Sequence, residues 1–334
     1  MCSGSRHTWA LILAAGEGTR IAAFTQDASG RAVPKQYCSF GGAVSPLRRA
    51  IDRAQRVVAG DRVAIVVAEQ HRPWWEVELA AFPGPSVVIQ PESKGTAIGL
   101  LLGVTHVLRQ DPGARFVVFP SDHFVADEDT LHGALLDAVE AMRLDPRRIV
   151  LLGMALDELD PEYGWIVCGP PTASGVREVL SFREKPDRDT AALLRKRGAL
   201  VNSFIFAATG AALLGLFEQT MGDVLRAFRS LAPSEDGGQE ALRDLYAGLP
   251  SRDFSREVLE PQTPRLSVVA VPPCGWTDVG TPARLMMLLA PMPRRAGPHP
   301  DPPSTRSGVE GVANPQPTPP KWSPHSTPGS ALEA

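Results

Sequence analysis

The chain has 334 residues, of which 43% are hydrophobic and 21% are charged, and this is enough apolar material for a large folded core. The formal net charge of -3, with basic residues dispersed along the chain, excludes the basic surface that is typical of nucleic-acid-binding proteins. We therefore expect no nucleic-acid partner.

The spacing of the cysteines and the hydropathy of the chain predict the cellular compartment of the protein. The four cysteines lie far apart and form no Cys-x-x-Cys pair, which is typical of a reducing environment. The apolar run near the N-terminus passes directly into charged residues and does not resemble a signal peptide. The most apolar later stretch, residues 204–217, is too short for a membrane span. The sequence thus predicts a cytoplasmic protein with no membrane partner.

Short, continuous apolar runs alternate with amphipathic stretches in the first half of the chain. Such runs are typical of buried, largely parallel strands. One helix is predicted to begin at Pro46 with Ser45 as its N-cap, and another covers residues 95–108. This alternation predicts an α/β fold, a three-layer α/β/α sandwich around a mixed, mostly parallel sheet. The predicted strands are 10–13, 63–67, 87–90, 116–119 and 149–152.

The second half of the chain begins with hairpin-like segments, in which strand residues are flanked by glycine or proline. Helices are expected after these segments, and a final strand follows them. The predicted segments are the strands 163–168, 175–183 and 201–207, the helical region 211–248 and the strand 266–271.

The chain divides into three parts by composition. Residues 1–8 are expected to form a flexible N-terminus, and residues 9–292 a single domain. Residues 293–334 carry repeated Pro, Ser, Thr and Gly without apolar periodicity, which predicts a disordered tail.

The most informative motif, at residues 9–20, joins the first predicted strand to a loop of small residues. Gly16 and Gly18 lack the Cβ atoms that keep a backbone away from an anion. Thr19 adds a hydroxyl group, and Arg20 offers a planar fork of donors to phosphate oxygens. The loop matches neither the P-loop nor the dinucleotide fingerprint. Taken alone, it fits both a nucleoside triphosphate site and a simple strand-to-helix turn.

Four further motifs follow: Val-Pro-Lys-Gln-Tyr at 33–37, Phe-Pro-Ser-Asp-His at 119–123, Phe-Arg-Glu-Lys-Pro at 182–186 and Trp-Thr-Asp-Val-Gly at 276–280. In this order, the motifs resemble the sugar-1-phosphate nucleotidylyltransferase family, and the first two are most similar to its mannose-1-phosphate guanylyltransferase branch. The resemblance covers about residues 9–290. It implies the nucleotide-diphospho-sugar transferase fold, which is GT-A-like and Rossmann-like.

The resemblance implies transfer of a GMP group from GTP to mannose 1-phosphate, which yields GDP-mannose and pyrophosphate with Mg²⁺ as cofactor. Both reactants are anionic, so the protein has to neutralise charge and align them. The resemblance assigns catalytic roles to Arg20, Lys35 and Lys185. It implies Asp122 and Asp278 as metal ligands, and two carboxylates are sufficient because Mg²⁺ also takes phosphate and water oxygens.

The same resemblance implies the binding residues. The sugar phosphate is expected to contact Gly164, Glu184 and Asn202. Because adjacent strand residues point to opposite faces, joint contacts by Glu184 and Lys185 require a bend, which Pro186 favours. The residues implied to bind the nucleotide are Ala14, Ala15, Gly16, Glu17, Gly18, Thr19, Gln90, Gly95 and Thr96.

Three positions depart from the guanylyltransferase branch: Ser93 and Lys94 replace an Asn-Arg pair, and Val201 replaces a tryptophan. Lys94 keeps the charge but loses the bidentate fork of arginine. The substrates are expected to be GTP and a sugar 1-phosphate. A thymidylyl- or cytidylyltransferase acting on glucose 1-phosphate stays open, as does a non-catalytic regulatory paralogue that binds a nucleotide sugar. The sequence also leaves a homo-oligomer open.

Overall fold

A computed structural model of the chain describes residues 7–27, 29–40, 44–156, 159–231 and 238–289. The predicted tail over 293–334 and most of the predicted flexible N-terminus lie outside the described residues. Among the described residues, no helix is both long enough and apolar enough to cross a membrane.

The apolar runs form strands, several of them one or two residues longer than predicted. The strands are β1 Thr8–Ala14, β2 Val63–Ala68, β3 Ser86–Gln90, β4 Arg115–Pro120, β5 His123–Phe124, β6 Ile149–Met154, β7 Gly164–Pro171, β8 Val176–Glu184, β9 Leu200–Thr209, β10 Leu266–Val271 and β11 Thr277–Asp278.

The amphipathic stretches form helices, and the predicted N-cap is confirmed, since the Ser45 hydroxyl accepts a hydrogen bond from the Arg48 amide at 3.0 Å. A 3₁₀ helix, Thr19–Phe24, follows the loop after β1, and a π-helical turn covers Ser255–Leu259. The α-helices are α1 Pro46–Gln55, α2 Arg72–Leu79, α3 Gly95–Gln110, α4 Glu128–Leu144, α5 Arg188–Lys196, α6 Gly210–Ser230, α7 Gly238–Gly248 and α8 Pro282–Leu289.

Nine strands form one mixed sheet in the order β3-β2-β1-β4-β9-β6-β10-β8-β7. Strands β8 and β9 run against the other strands of this sheet, because their pairings with β4, β6, β7 and β10 are antiparallel. Strands β5 and β11 form a separate antiparallel pair. The predicted mixed, mostly parallel sheet is therefore confirmed.

Helices cover both faces of the sheet, as the alternation in β1 requires. Trp9 and Leu11 face the core that is shared with α3 and α6. Ala10, Ile12 and Ala14 face the opposite core, which is shared with α1 and α4. Because each strand is buried on both sides, its sequence is continuously apolar. The structure thus confirms the three-layer α/β/α sandwich.

Candidate functional site

A cavity of about 380 Å³ lies beyond the carboxyl ends of strands β1, β3 and β4. This is where ligands bind in open α/β sheets. Lys35 and Asp122 lie on one side of the cavity, and the start of α3 lies on another. Among the site residues implied by the sequence, those that line the cavity are Ala15, Gly16, Lys35, Gln90, Gly95, Thr96 and Asp122.

Lys35 and Asp122 form a mostly buried ion pair at the cavity wall. The Lys35 Nζ lies 2.5 Å from Asp122 Oδ2, and it also donates to the Val279 carbonyl at 3.1 Å. Burial alone opposes ionisation of Asp122, but the Lys35 ammonium outweighs it and lowers the pKa of the carboxyl to about 2. Asp122 is therefore a carboxylate at neutral pH.

Gln36 and Tyr37 hold the loop that follows β1. The buried Gln36 side chain donates to the carbonyls of Ala14 at 2.9 Å and Gly16 at 3.1 Å, and the Tyr37 hydroxyl also donates to Ala14 at 3.2 Å. These bonds engage carbonyl oxygens that would repel an anion. Sequence reasoning gave Gln36 and Tyr37 no role, although both belong to the Lys35 motif.

Arg20 does not line the cavity that Lys35 and Asp122 border. It lies in the 3₁₀ helix that begins after Gly18, and its Nη1 donates to Glu162 Oε2 at 2.8 Å. Half of its side chain is exposed, at 53%. The Glu162 carboxylate therefore takes the position that a phosphate would hold near this guanidinium.

Glu17, Gly18 and Thr19 also lie outside the cavity wall. Glu17 accepts a hydrogen bond from the Gln70 amide at 2.6 Å and lies 3.5 Å from a ring nitrogen of His71. Gly18 has a left-handed φ of 64° and precedes the 3₁₀ helix that Thr19 begins. Because the chain turns at Gly18, the cavity meets this loop only at Ala15 and Gly16.

The start of α3 packs against residues 252–254. Gly95 has a φ of +81°, and a Cβ atom there would collide with the Arg252 carbonyl. The Ala97 amide donates to that carbonyl at 3.1 Å, and the Thr96 hydroxyl accepts from the Phe254 amide at 2.8 Å. One of the helix's free N-terminal amides is therefore already bonded, so a phosphate here would depend on the others.

Gln90 and Lys94 flank this turn. Gln90 is buried at the end of β3, and its Oε1 accepts a hydrogen bond from the Tyr246 hydroxyl at 3.5 Å. The Lys94 ammonium lies 3.0 Å from Glu92 Oε1. The charge that replaces the expected arginine is thus partly neutralised within the same loop.

The strand pair β5–β11 brings Asp122 and Asp278 to the same edge. Asp278 pairs with His123, and the Val279 amide donates to the Asp122 carbonyl at 3.2 Å. His123 accepts a hydrogen bond from the Trp276 indole at 3.1 Å, and burial lowers its pKa to about 4. The histidine is therefore neutral and fixed between the two aspartates.

The two aspartates suit a hard divalent cation. The contacts to Lys35 and Arg284 engage Asp122 Oδ2 and Asp278 Oδ1, and they leave one oxygen of each carboxylate for a metal. The described part of the chain holds no group of three or more His, Cys, Asp or Glu residues that could bind a metal alone. Mg²⁺ needs only one or two carboxylates beside phosphate and water oxygens, so this donor set fits it.

Asp278 belongs to a buried network that the sequence did not reveal. Its Oδ1 accepts from Arg284 at 2.6 Å and from the Tyr163 hydroxyl at 3.0 Å. Arg284 also pairs with Asp160 and lies 3.9 Å above the Tyr163 ring. Burial, together with the Asp278 charge, raises the pKa of Tyr163, so its hydroxyl stays a donor. Arg284 had no recognisable motif, and one of its partners, Asp160, lies 124 positions away in the sequence.

Gly164, Glu184 and Asn202 come together as the resemblance implies. Gly164 pairs with Glu184 across β7 and β8, and a Cβ at Gly164 would collide with the Glu184 carboxylate and lie 3.4 Å from Asn202 Cβ. Burial and the neighbouring Asp253 raise the pKa of Glu184 to about 7. The Asn202 amide donates to Ser255 Oγ at 3.4 Å.

Lys185 makes the bend that its position beside Glu184 requires. Its φ is 48°, a left-handed conformation that is uncommon for a lysine, and its amide donates to the Tyr163 carbonyl at 3.2 Å. Glu184, Lys185 and Glu260 line an open cavity of about 680 Å³. Tyr163 therefore connects the two halves of the site, since its hydroxyl binds Asp278 and its carbonyl binds Lys185.

Known proteins resemble the chain over most of its length. It is 25% identical over 81% of its residues to a mannose-1-phosphate guanylyltransferase of Salmonella muenchen, and 27% identical over 81% to the xanthan biosynthesis protein XanB of Xanthomonas campestris. It spans 57% of the length of each relative.

A crystal structure described as mannose-1-phosphate geranyltransferase from Thermus thermophilus superposes with a TM-score of 0.70 at 28% identity. The match covers 82% of this chain and 76% of that one. The sequence profile of the nucleotidyl transferase family matches residues 9–291. Because the match covers most of the chain, the protein belongs to the nucleotidyl transferase family.

Proposed function

We propose that the protein transfers a GMP group from GTP to mannose 1-phosphate, giving GDP-mannose and pyrophosphate. The relative from Salmonella muenchen, which is named for this reaction, supports the substrates, although the chain spans only 57% of its length. The observation that carries the proposal is the cavity in which the Lys35–Asp122 pair faces the start of α3. This arrangement supports a site in which a fixed cation and a carboxylate that can bind Mg²⁺ lie beside a pocket for a nucleoside.

In this proposal the nucleoside lies against Gln90, Gly95 and Thr96, and the triphosphate lies along Ala15 and Gly16. The Lys35 ammonium neutralises phosphate charge at the far end of the cavity. Other members of the implied nucleotide set act indirectly, because Ala14 anchors the loop through its carbonyl and Gly18 turns the chain toward Arg20.

Arg20 is proposed to leave Glu162 and bind the β- and γ-phosphates when the nucleotide arrives. A guanidinium matches two phosphate oxygens at once, and its present ion pair is half exposed and therefore weak. Glu17 and Thr19 would position this segment.

The sugar 1-phosphate is proposed to bind at the second group of residues. The Glu184 carboxylate and Asn202 amide hold sugar hydroxyls, Gly164 allows the ring to approach, and Lys185 holds the 1-phosphate. A 1-phosphate oxygen would then attack the α-phosphorus of GTP and displace pyrophosphate, while Lys185 orients the 1-phosphate. Asp122 and Asp278 would hold Mg²⁺, which when bound neutralises the phosphates that meet there.

The first experiment measures pyrophosphate release by the purified chain in the presence of Mg²⁺. Each of four triphosphates, GTP, ATP, CTP and dTTP, is combined with either mannose 1-phosphate or glucose 1-phosphate. Release with GTP and mannose 1-phosphate supports the proposal. Release with dTTP or CTP and glucose 1-phosphate would move the specificity to the alternative that Lys94 and Val201 leave open. If no combination of triphosphate and sugar phosphate gave pyrophosphate, the result would contradict the catalytic proposal and favour a regulatory paralogue.

A further inference from the structure

Phe204 has a backbone conformation that a phenylalanine rarely adopts. Its φ is 60°, within strand β9, and its amide donates to Asn202 Oδ1 at 3.1 Å. A bulky side chain at positive φ is strained, and such residues cluster at functional sites. The strain is maintained by Asn202, which is itself a candidate sugar contact.

The Phe204 ring is one of the few large apolar surfaces at the cavity. One part of the ring packs against the core, 6.1 Å from the Phe206 ring and 5.9 Å from the Phe254 ring. The side chain is only half-buried, and it lines the same cavity as Lys35 and Asp122. The core contacts fix the ring's orientation, and its free part faces the space where a substrate would lie.

The sheet order determines which substrate this ring faces. Strand β9 lies beside β4, which leads to Asp122, and it also pairs with β7, which carries Gly164. Gln90 and Gly95 lie at the opposite side of the cavity, beyond β1 and β2. The bond from the Phe204 amide to Asn202 sets the ring beside a candidate sugar contact, while its neighbour Phe254 bonds to Thr96 at the start of α3.

We propose that Phe204 is a specificity-determining residue whose ring packs against the C–H face of the hexose in the sugar 1-phosphate. The inference rests on the proposed function and deepens it. A hexose offers hydroxyls at its edge and C–H groups on its face, so it needs polar partners and an apolar platform together. Glu184 and Asn202 supply the polar partners, and the Phe204 ring supplies the apolar platform with little loss of conformational entropy.

The test compares Phe204→Ala and Phe204→Gly with the wild type, using the nucleotide and sugar phosphate pair that the wild type turns over. Both variants are expected to raise the KM of the sugar phosphate about tenfold while the KM of the nucleotide stays within about twofold. Phe204→Gly is expected to unfold at no lower temperature than Phe204→Ala, because glycine adopts a φ of 60° without strain.

Phe116→Leu is the control, since Phe116 lies on the neighbouring strand β4, is fully buried and does not line the cavity. It is expected to lower the melting temperature and leave both KM values unchanged. An unchanged sugar KM in both Phe204 variants, or a nucleotide KM that rises with it or alone, would overturn the inference. If the wild type showed no turnover with any substrate pair, the proposed function would be overturned, and this inference with it.

Discussion

Lys35 and Asp122 form a mostly buried ion pair at the wall of the cavity. Burying the two charges costs more free energy than forming an ion pair at the surface. Removing charges from water is expensive unless the partners are well matched, and a mostly buried pair is only weak support for stability. The pair is better explained by a role in binding substrate than by a contribution to stability. Asp122 keeps its charge for a cation, and Lys35 is held where an anionic substrate would arrive.

The first prediction concerns Asp122→Asn. The amide keeps the shape of the carboxylate but removes the charge that faces Lys35 and that is proposed to bind Mg²⁺, so kcat should fall by at least ~10²-fold. Steady-state pyrophosphate release measures the effect. The control is Asp129→Asn, because Asp129 is an exposed carboxylate on α4 whose side chain is 91% accessible. Near wild-type turnover of the Asp122 variant would show that this carboxylate has another role.

The second prediction concerns pH and Glu184. The unfolded carboxyl titrates near 4.5, and burial with the nearby Asp253 raises the folded pKa to about 7. Glu184 therefore stabilises the fold fully below about pH 4.5, and this contribution is lost as the pH rises through about 7. Glu184→Gln, which cannot ionise, should match the wild type near pH 5 but exceed its free energy of unfolding by on the order of 2 kcal/mol near pH 8.

Urea unfolding at the two pH values measures this difference. Glu178→Gln serves as the control, since Glu178 lies on the same strand with 62% of its side chain exposed. It should change the unfolding free energy equally at both pH values. If the stability difference between Glu184→Gln and the wild type were the same at both pH values, the folded protein would not disfavour the ionised form of Glu184.

Helix α3 and residues 252–254 act as one unit at the nucleoside side of the site. The third prediction is that Gly95→Ala destabilises the protein by about 2–4 kcal/mol, because alanine disfavours a φ of +81° and its Cβ would collide with the Arg252 carbonyl. Thermal or urea unfolding measures the loss. Gly133→Ala is the control. It lies within α4 with nothing near the added Cβ and should raise stability by about 0.5–1 kcal/mol.

Helix α8 connects the 3₁₀ helix of Arg20 to the metal-binding edge. Its Leu285 packs with Ile21 and Val279, and its Arg284 joins Asp160 to Asp278. The fourth prediction is that Arg284→Met costs about 3–5 kcal/mol of stability, because two carboxylates lose a buried cation. Arg143→Met, an exposed arginine on α4, should cost under about 1 kcal/mol. A similar loss for both variants would contradict this role for α8.

Local sequence signals predicted most of the fold, whereas the roles of the candidate site residues stay predictions. Strand and helix positions followed from apolar runs, because burial on both faces of the sheet removes polar residues from whole segments. Asp122, Gly164 and Lys185 were found because each lies in a motif beside a strand end. The direction of Arg20 was not predicted, since Glu162 lies 142 positions away. The Arg284–Asp160 pair likewise depends on a tertiary contact that leaves no local pattern, since the two residues lie 124 positions apart.

The whole candidate site lies within one stretch of chain. Its first implied residue is Ala14, and the last side chain that holds it is Arg284, next to Leu285 in the small core of α8. The fifth prediction is that a chain ending after residue 292 keeps the wild-type kcat and melting temperature, because the family profile ends at residue 291 and residues 293–334 lack apolar periodicity.

A chain ending after Thr281 is the matched control for this truncation. It removes α8 and so takes away the cation of Asp278 and the packing of Ile21 and Val279. This shorter chain should lose activity and unfold at a lower temperature, while the longer one does not. If both truncations failed alike, residues beyond 292 would take part in folding or in the site, and the boundary of the domain would have to be moved.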